Sequence, residues 1–578
     1  MNSITAFKLE DLSPELIANI LHFCDCSTIL RFAATCKVYR ELVAQSTSLQ
    51  LHIELEFNGL ELLTGSSKRD TTYSEILKDI RHFRDACLKT YVSEPIVRPA
   101  PRALESKLQD GYLITAFSQS GEVYPDALQF IPLHTETPDP PPLLFDFTFS
   151  EFTADPEQGL VAMLFRDPGR DELCHIRLCS TTTGLAHPLA QHPRLTAEFG
   201  FALRPLLSGL AIEIMEHQIV ARISLIRSDI YEVLIWDWTS GILVHRISSR
   251  EGICDVAFLD RRHLAVLSVT RSSSAPESLE LLIYATSNDA STLEALPNRK
   301  IRVEDYSISQ PLLRLAFPQL RESSDLKINE SSLLLKSGPT PSRKIYTNSA
   351  VFSCPYTLTL SMTFCFRNVV AGWHLSHPYR VFIDGRFLQE QAHIRLNDRT
   401  STQVVPWCSW GTNATRWFTS PGELGRLTHW PFRITGSRYI QPFLNSPYHC
   451  IFDFSSLTLG RFRESPEQSY PTEPQVDDSE AGDGFWNLQQ LDSYLLELVA
   501  HSPPNPGPFV LTVGADNPST INDSPFDEPI TTRLPYRIVY KRKPEQDYDR
   551  WQIDRDCVVG FASSGPLSET IAVYKPNQ

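Results

Sequence analysis

Apolar residues recur at helical spacing near the start of the chain and gather into short runs over most of the remainder. Between residues 9 and 43 the stripe that this spacing produces includes Leu16, Ile17, Ile20 and Leu21. From about residue 105 onward, runs rich in Val, Ile, Phe, Tyr and Trp alternate with Gly, Pro, Ser, Asn and Asp turns. The first pattern predicts helices and the second predicts an all-β region.

Three short helices are predicted in the first segment. Ser13 is a good N-cap, Pro14 suits the first turn because no N–H is needed there, and Glu15 meets the positive end of the helix dipole. Asp25 or Ser27 can cap the second helix. A third helix is predicted around Val38, Leu42 and Val43. A segment of about 35 residues buries too little surface to form a core alone, so it is predicted to pack against a partner.

Several positions in this segment match a known motif without a gap: Leu12, Pro14, Glu15, Leu16, Ile20, Leu21, Leu30, Cys36 and Arg40. The motif that they resemble is the F-box, by which substrate receptors of cullin ubiquitin ligases bind a Skp-type adaptor. The chain departs from the family at Cys24, Thr35 and Tyr39, where it has less apolar volume. The resemblance implies that the adaptor, and through it a cullin, binds here, with contacts from Leu12, Pro14, Glu15, Leu16, Ile20, Leu21, Leu30 and Cys36. The alternative is an ordinary three-helix cap packed on the rest of the chain.

Residues 49–104 are predicted to be a mainly helical linker. Residues 49–60 fit a strand by alternation and a helix by spacing, and periodicity does not separate the two. A similar stretch in a large group of F-box proteins from mushroom-forming fungi favours the helix. Thr72 and Glu75 form a capping box, which predicts a second helix that runs to about residue 91.

The clearest unit in the β region is a strand over 231–238, a turn containing Gly241 and a strand over 242–247. This order resembles one blade of a tryptophan-aspartate-repeat propeller. Similar but weaker strand patterns lie at 174–179, 281–284, 450–454 and 538–540. The ranges 557–561 and 570–574 are predicted to form a closing strand pair. Residues 105–578 are therefore predicted to form a degenerate β-propeller of six or seven irregular blades. The competing fold is a pair of β-sandwiches.

One insertion interrupts this region. Residues 464–483 are acidic and rich in Ser and Pro, which predicts a solvated loop, and residues 485–499 have the pattern of an amphipathic helix. The simplest role for that helix is a brace against the propeller wall. The predicted domains are an F-box at 8–48, a linker at 49–104 and a propeller at 105–578 with an insertion around 464–500. The predicted fold class is α+β multidomain, with a small all-α segment ahead of a large all-β domain.

Charge and composition narrow the functional classes. The 578 residues carry a net charge of −15, which argues against binding nucleic acid or an anionic membrane. The 12 cysteines are scattered without a CxxC pair or a Cys/His ladder, so neither a metal nor a cofactor is predicted. Neither a secretory leader nor an apolar run long enough to cross a membrane occurs, so a cytoplasmic or nuclear location is expected.

Catalytic motifs are missing from the sequence. A P-loop, a GxSxG elbow, an HExxH helix and a GxGxxG turn are all absent. A non-catalytic protein is therefore predicted, although a propeller can gather catalytic residues from distant blades. A propeller hydrolase or lyase would need a deep polar pocket in the central channel with clustered titratable groups.

A dense aromatic segment runs from Trp407 to Trp430. Because Trp and Arg dominate binding hot spots, the candidate substrate anchors in this segment are Trp410, Arg416 and Trp417. The alternative is that they are core residues. In that case all three are buried between sheets and the substrate site lies elsewhere.

These expectations describe a substrate-recognition subunit of a Skp–cullin–F-box ubiquitin ligase, with an unidentified protein substrate bound by the β domain. Such a subunit breaks no bonds, and it acts by raising the effective concentration of target lysines near a ubiquitin carrier. The second hypothesis is a ligase-independent propeller scaffold whose F-box-like segment binds a different partner.

Overall fold

The computed structural model describes most of the chain in two compact units. The described residues are 12–575 without 64, 67–70, 90–93, 102, 134–138, 204–207, 226–227, 272–275, 287–299, 322–325, 369–377, 397–401, 420–433, 443–445, 456–486, 501–508, 523–524, 545–547, 555–556 and 564–567. The first unit comprises Met1–Lys89 and Arg343–Pro355, and the second comprises Thr90–Ser342 and Tyr356–Gln578. The predicted acidic loop at 464–483 lies outside the described residues.

The described helices are α1 Pro14–Leu21, α2 Cys26–Thr35, α3 Lys37–Gln45, α4 Thr47–Phe57, α5 Tyr73–Lys89, α6 Gly385–Leu396, α7 Trp407–Ala414 and α8 Leu488–Ala500. The strands of the first half are β1 Glu61–Leu62, β2 Ile96–Pro101, β3 Glu105–Gln109, β4 Tyr112–Phe117, β5 Ala127–Pro132, β6 Leu143–Leu144, β7 Glu151–Asp155, β8 Leu160–Arg166, β9 Leu173–Ser180, β10 Arg194–Glu198, β11 Ser208–Met215, β12 Gln218–Leu225, β13 Ile230–Asp237, β14 Ile242–Ser249, β15 Gly252–Asp260, β16 His263–Thr270, β17 Ser278–Ala285 and β18 Ile301–Arg302. The later strands are β19 Leu313–Ala316, β20 Leu326–Ile328, β21 Leu334–Lys336, β22 Lys344–Tyr346, β23 Val351–Ser353, β24 Thr359–Phe364, β25 Phe366–Asn368, β26 Tyr379–Asp384, β27 Gln403–Val405, β28 Thr415–Thr419, β29 Ile434–Thr435, β30 Arg438–Pro442, β31 Tyr448–Asp453, β32 Phe509–Val513, β33 Ser519–Ile521, β34 Ile530–Thr532, β35 Tyr536–Arg542, β36 Arg550–Asp554, β37 Cys557–Ser563 and β38 Ser568–Tyr574.

The first helices begin where the sequence predicts. Ser13 Oγ accepts a hydrogen bond from the Leu16 N–H at 3.4 Å, and Asp25 Oδ1 accepts from the Thr28 N–H at 2.7 Å, so Asp25 is the cap of α2. The ambiguous stretch 49–60 is mostly helical, as α4. These starts follow from local side-chain-to-backbone bonds that satisfy otherwise unpaired N–H groups.

The capping box at the start of α5 is also confirmed. The Thr72 N–H donates to Glu75 Oε2 at 2.8 Å, and the Glu75 N–H donates to Thr72 Oγ1 at 3.3 Å.

Helices α4 and α5 are joined by the buried carboxylate of Glu54, which accepts two bonds of 2.9 Å from Arg84 and one of 3.2 Å from Arg81. These ion pairs compensate the buried charge of Glu54 and connect the two helices.

A hairpin from far along the chain completes the first unit. Strand β23 pairs with β1 on one side and with β22 on the other. Its apolar side chains pack with those of α4 and α5 in a cluster that includes Leu51, Ile76, Ile80, Ile345 and Phe352. The helical segment therefore obtains its core partly from residues that the local pattern does not assign to it.

The second unit is built mainly from β-sheets, as the pattern predicts, and their strand pairs are antiparallel except for β10 with β18 and β19 with β27. Within its described residues, seven sheets have four or five strands: sheet I (β3 to β6), sheet II (β7 to β10 and β18), sheet III (β11 to β14), sheet IV (β15, β16, β17, β19 and β27), sheet V (β21, β24, β26 and β28), sheet VI (β29, β30, β31, β35 and β32) and sheet VII (β36, β37, β38 and β2). Two short ribbons pair β20 with β25 and β33 with β34. The predicted hairpin in sheet III is present, and Gly241 turns it with φ of +76°.

Successive sheets share apolar clusters. Residues of sheets II and III form one cluster, and residues of sheets III and IV form another. The last sheet packs on the first, where Val559 and Ile571 of sheet VII lie among Leu113 and Ile131 of sheet I. Strand β15 is buried along its whole length because both faces of its sheet are covered.

Strand β2 lies within the segment predicted to be a helical linker. It pairs antiparallel with β38, from Ile96 opposite Val573 to Pro101 opposite Ser568. The helical expectation is wrong at this point, because a partner strand more than 450 residues away determines the conformation.

Helix α8 confirms the predicted amphipathic helix. Leu488, Leu491 and Leu495 are buried against sheet VI, and Tyr540 donates a hydrogen bond of 2.9 Å to Asp492. Through these contacts α8 packs on sheet VI as a brace.

In the described part of the chain, no helix combines the length and apolar character that a membrane crossing requires.

Candidate functional site

The first unit presents large apolar side chains to solvent on α1 and the turn that follows it. Leu16 is 51% exposed, Ile20 is 50% exposed and Phe23 is 94% exposed. Leu16 and Ile20 are four residues apart and lie on one helix face, and Phe23 follows one turn later. Leu16, Ile20 and Phe23 are called the docking face below. Val38 at the start of α3 is also exposed.

The structure divides the predicted adaptor-binding residues into three groups. The exposed ones are Pro14, Glu15, Leu16, Ile20 and Cys36, and the partly buried ones are Leu12 and Leu30. Leu21 is buried at 4% exposure, so its side chain is not available for the adaptor contact that the resemblance implies. The apolar stripe of α1 is two residues wide, and its inner half, Ile17 and Leu21, faces the core of the unit.

The candidate substrate anchors Trp410, Arg416 and Trp417 are core residues. None of the three is more than 1% exposed. Trp410 donates its indole N–H to the Ala316 carbonyl at 2.9 Å, and Arg416 donates to Ser519 Oγ at 2.7 Å. The substrate-anchor hypothesis for these side chains is therefore withdrawn. Trp430 lies outside the described residues.

A cavity in the second unit is the stronger candidate for ligand contact. It has a volume of about 290 Å³, close to the lower end for small-ligand sites. One edge strand of each of the seven sheets contributes to its lining, with Lys107, Glu151, Ile212, Asp255, Lys336, Thr435 and Asp554 as one residue from each. The cavity thus lies where the seven sheets converge.

Lys107 organises one side of the cavity. Its Nζ lies 3.0 Å from Glu105 Oε1 and 3.4 Å from Glu151 Oε2, and it also donates to the Phe152 carbonyl. The ammonium sits 4.6 Å from the centre of the Phe152 ring, a cation–π distance. These contacts hold two carboxylates around one cation.

Asp255 organises a second side. It is buried, its Oδ1 lies 3.3 Å from Arg222 Nε, and its Oδ2 accepts from the Leu335 N–H at 2.8 Å. Lys336 Nζ is 3.8 Å from the same carboxylate. Of the described side chains in the lining, carboxylates outnumber basic groups, six to three. A positively charged group is therefore the better electrostatic match for the cavity.

Glu151 can exchange a proton near neutral pH. Burial raises the pKa of its carboxyl to about 7, partly opposed by Lys107 and reinforced by Glu105. A carboxyl with such a pKa can donate or accept a hydrogen bond and can act as a general acid or base.

The Glu151→Gln variant is expected to remove part of the pH dependence of folding. The ordinary pKa of 4.5 in the unfolded chain lies below the folded value of about 7, so the folded state retains the proton as pH rises. The free energy of unfolding of the wild type therefore falls between about pH 5 and pH 8, by up to about 2–3 kcal/mol, since one pKa unit corresponds to about 1.36 kcal/mol. The Gln variant lacks this loss, and urea unfolding of both proteins across that range measures the difference.

The matched control for this experiment is Glu528→Gln, which removes an exposed carboxylate from the same unit. It is expected to follow the wild-type pH profile. If Glu151→Gln follows the wild-type profile as well, the carboxyl does not retain its proton at neutral pH.

A second cluster has the composition of a metal site. Asp260, His263 and His393 bring one ligand atom each to within 4.8 Å of one another, the one such group found among the described residues. Asp260 and His263 flank the turn between β15 and β16, and His393 comes from α6. The sequence does not bring these residues together, because 130 residues separate the two histidines.

No protein-family model and no curated protein matches this chain. Two solved structures that match parts of it are a hydrazine synthase from Kuenenia stuttgartiensis and a eukaryotic initiation factor. The first has 13% identity and a TM-score of 0.29 over 52% of this chain and 68% of the other. The second has 10% identity and a TM-score of 0.25 over 61% of this chain and 71% of the other. Scores this low carry no argument about fold or function.

Proposed function

We propose that this chain is a substrate receptor of a Skp–cullin–F-box ubiquitin ligase, in which the docking face binds a Skp-type adaptor. The observation that carries the proposal is the exposure of Leu16, Ile20 and Phe23 on the short helix α1 and the turn that follows it. Exposed apolar side chains grouped on one face ordinarily mark an interface. The F-box resemblance of the same helices supports a Skp-type adaptor as the proposed occupant.

The second unit is proposed to be a closed propeller of seven blades, one for each sheet. Three features support this architecture. One edge strand of every sheet lines the same cavity, the last sheet packs on the first, and β2 pairs with β38 in the last sheet. A propeller closes its ring by pairing early and late strands in this way.

The cavity replaces the aromatic segment as the proposed substrate contact. Its excess of carboxylates favours a substrate segment that carries Lys or Arg, since opposite charges attract most strongly where water is excluded. The receptor would hold that segment while the adaptor and cullin bring the ubiquitin carrier to it.

Co-elution with a purified Skp-type adaptor tests the proposal. The full chain and the adaptor are expected to form a one-to-one complex, measured by gel filtration with light scattering. Separate elution of the two proteins at micromolar concentration would overturn the ligase hypothesis and favour the scaffold hypothesis.

The polar cavity also favours a second candidate, a hydrolase or lyase. The observation behind it is Glu151, with a pKa of about 7, beside Lys107 in the cavity. The two candidate functions differ in whether the adaptor is required. An enzyme converts its substrate without the adaptor, whereas a receptor needs the adaptor for ubiquitination of its substrate.

A further inference from the structure

The turn between β15 and β16 places an acid and a histidine beside helix α6. Asp260 is the last residue of β15, His263 is the first residue of β16, and both are buried. His393 of α6 faces them with its side chain 54% exposed. The cluster is therefore rooted in a rigid hairpin and open to solvent on the helix side.

The carboxylate of Asp260 is held firmly. Oδ1 accepts from the Arg262 N–H at 2.7 Å, and both carboxylate oxygens lie 2.9 Å from His263 Nδ1. His393 Nε2 lies 3.7 Å from Oδ2.

His263 has a ring nitrogen without a partner. It is fully buried, and its Nε2 has no hydrogen-bond partner among the described atoms. Leaving such a polar atom unsatisfied in a protein interior costs free energy. The other ring nitrogen, Nδ1, is the one that faces Asp260. The imidazole rings of His263 and His393 have their centres 5.7 Å apart.

The cation nearest along the chain is already engaged elsewhere. Arg261 Nε donates to Ser342 Oγ at 2.6 Å and lies 3.2 Å from Glu216 Oε1. Its charge is therefore paired with other groups and does not compete directly for Asp260.

We propose that Asp260, His263 and His393 bind a zinc ion. Imidazole nitrogen with one carboxylate oxygen is a donor set that zinc prefers, whereas calcium and magnesium prefer oxygen ligands. With metal–ligand bonds of about 2.0–2.2 Å, ligand atoms around a tetrahedral zinc ion lie about 3.3 Å apart. Asp260 Oδ2 lies 2.9 Å from His263 Nδ1 and 3.7 Å from His393 Nε2, and these separations bracket that distance, so Nδ1 is the proposed ligand atom of His263.

Three protein ligands leave one coordination position for water or a ligand group. The exposed side of His393 gives solvent access to that position. The ion would also tie α6 to the hairpin of sheet IV, since the ligands come from both elements.

Zinc titration of the metal-free full chain tests the site. Wild-type protein treated with a chelator and then titrated calorimetrically with zinc chloride alone is expected to bind one ion. The His393→Ala variant is expected to bind it about tenfold or more weakly, because it loses one of three ligands. Cobalt is expected to give visible absorption bands with the wild type that weaken in the same variant.

The control is His217→Ala, which removes another exposed histidine from the same unit. It is expected to leave zinc affinity unchanged. The absence of stoichiometric binding by the wild type would overturn the site, as would equal affinity in the wild type and His393→Ala or an equal loss in His217→Ala. Melting curves check that each variant is folded, and zinc is expected to raise the wild-type melting temperature. The adaptor experiment probes the other unit, so the two proposals fail separately.

Discussion

Replacing Leu16 and Ile20 together by Ala is expected to lower the affinity for a Skp-type adaptor about a hundredfold or more. Each side chain is half exposed in the free chain and would be buried in the complex. Losing a buried Leu or Ile to Ala costs about 2–5 kcal/mol, and about 1.4 kcal/mol corresponds to a factor of ten in affinity. Calorimetric titration with purified adaptor measures the change.

The free double variant is expected to melt close to the wild type, because Ile17 and Leu21 hold the inner half of the stripe and remain in place. Leu185→Ala with Leu189→Ala is the matched control, since these residues are 71% and 65% exposed in the other unit. It is expected to bind the adaptor normally. Equal adaptor affinity in both double variants and the wild type would exclude α1 as the contact.

Trp417→Ala is expected to destabilise the second unit by about 3–5 kcal/mol, as large-to-small changes of buried aromatic residues do. The ring is fully buried, with its centre 5.7–6.0 Å from those of Phe364, Tyr379 and Phe526. Urea unfolding followed by circular dichroism measures the loss.

The Trp417→Phe variant separates the contribution of ring packing to stability from that of the indole N–H. The indole N–H has no hydrogen-bond partner among the described atoms, so its removal is expected to cost much less than removal of the whole side chain. Val404→Ala, at an exposed position, serves as the control and is expected to change little. Unchanged stability in Trp417→Ala together with lost substrate capture would restore the surface-anchor hypothesis.

The elements that the sequence predicts well are those determined by neighbours along the chain. The cap at Ser13, the capping box at Thr72 and the turn at Gly241 each depend on a few consecutive residues. Strand β2 and the hairpin Arg343–Pro355 depend on partners hundreds of residues away, so no local pattern predicts them.

The candidate sites show the same division. Helical spacing identifies the stripe on α1, but only tertiary packing decides that Leu16 is exposed and Leu21 is buried. In the cavity, Asp255 gives a usable signal, because it is a charged residue in the middle of the apolar run of β15. Glu151 and Lys107 look like ordinary polar positions of a strand, and their convergence depends on the arrangement of whole sheets.

During synthesis of the chain, β2 is made long before its partner strand β38. Strand β38 begins 467 residues after β2 ends, from residue 101 to residue 568. At about 5–20 residues per second, the ribosome needs roughly 25–90 s to make that length, and β2 remains without its partner throughout. An unpaired strand edge is a template for aggregation. Pro99 and Pro101 lack the N–H groups that such pairing needs, so these two prolines make the unpaired β2 a poor template for aggregation.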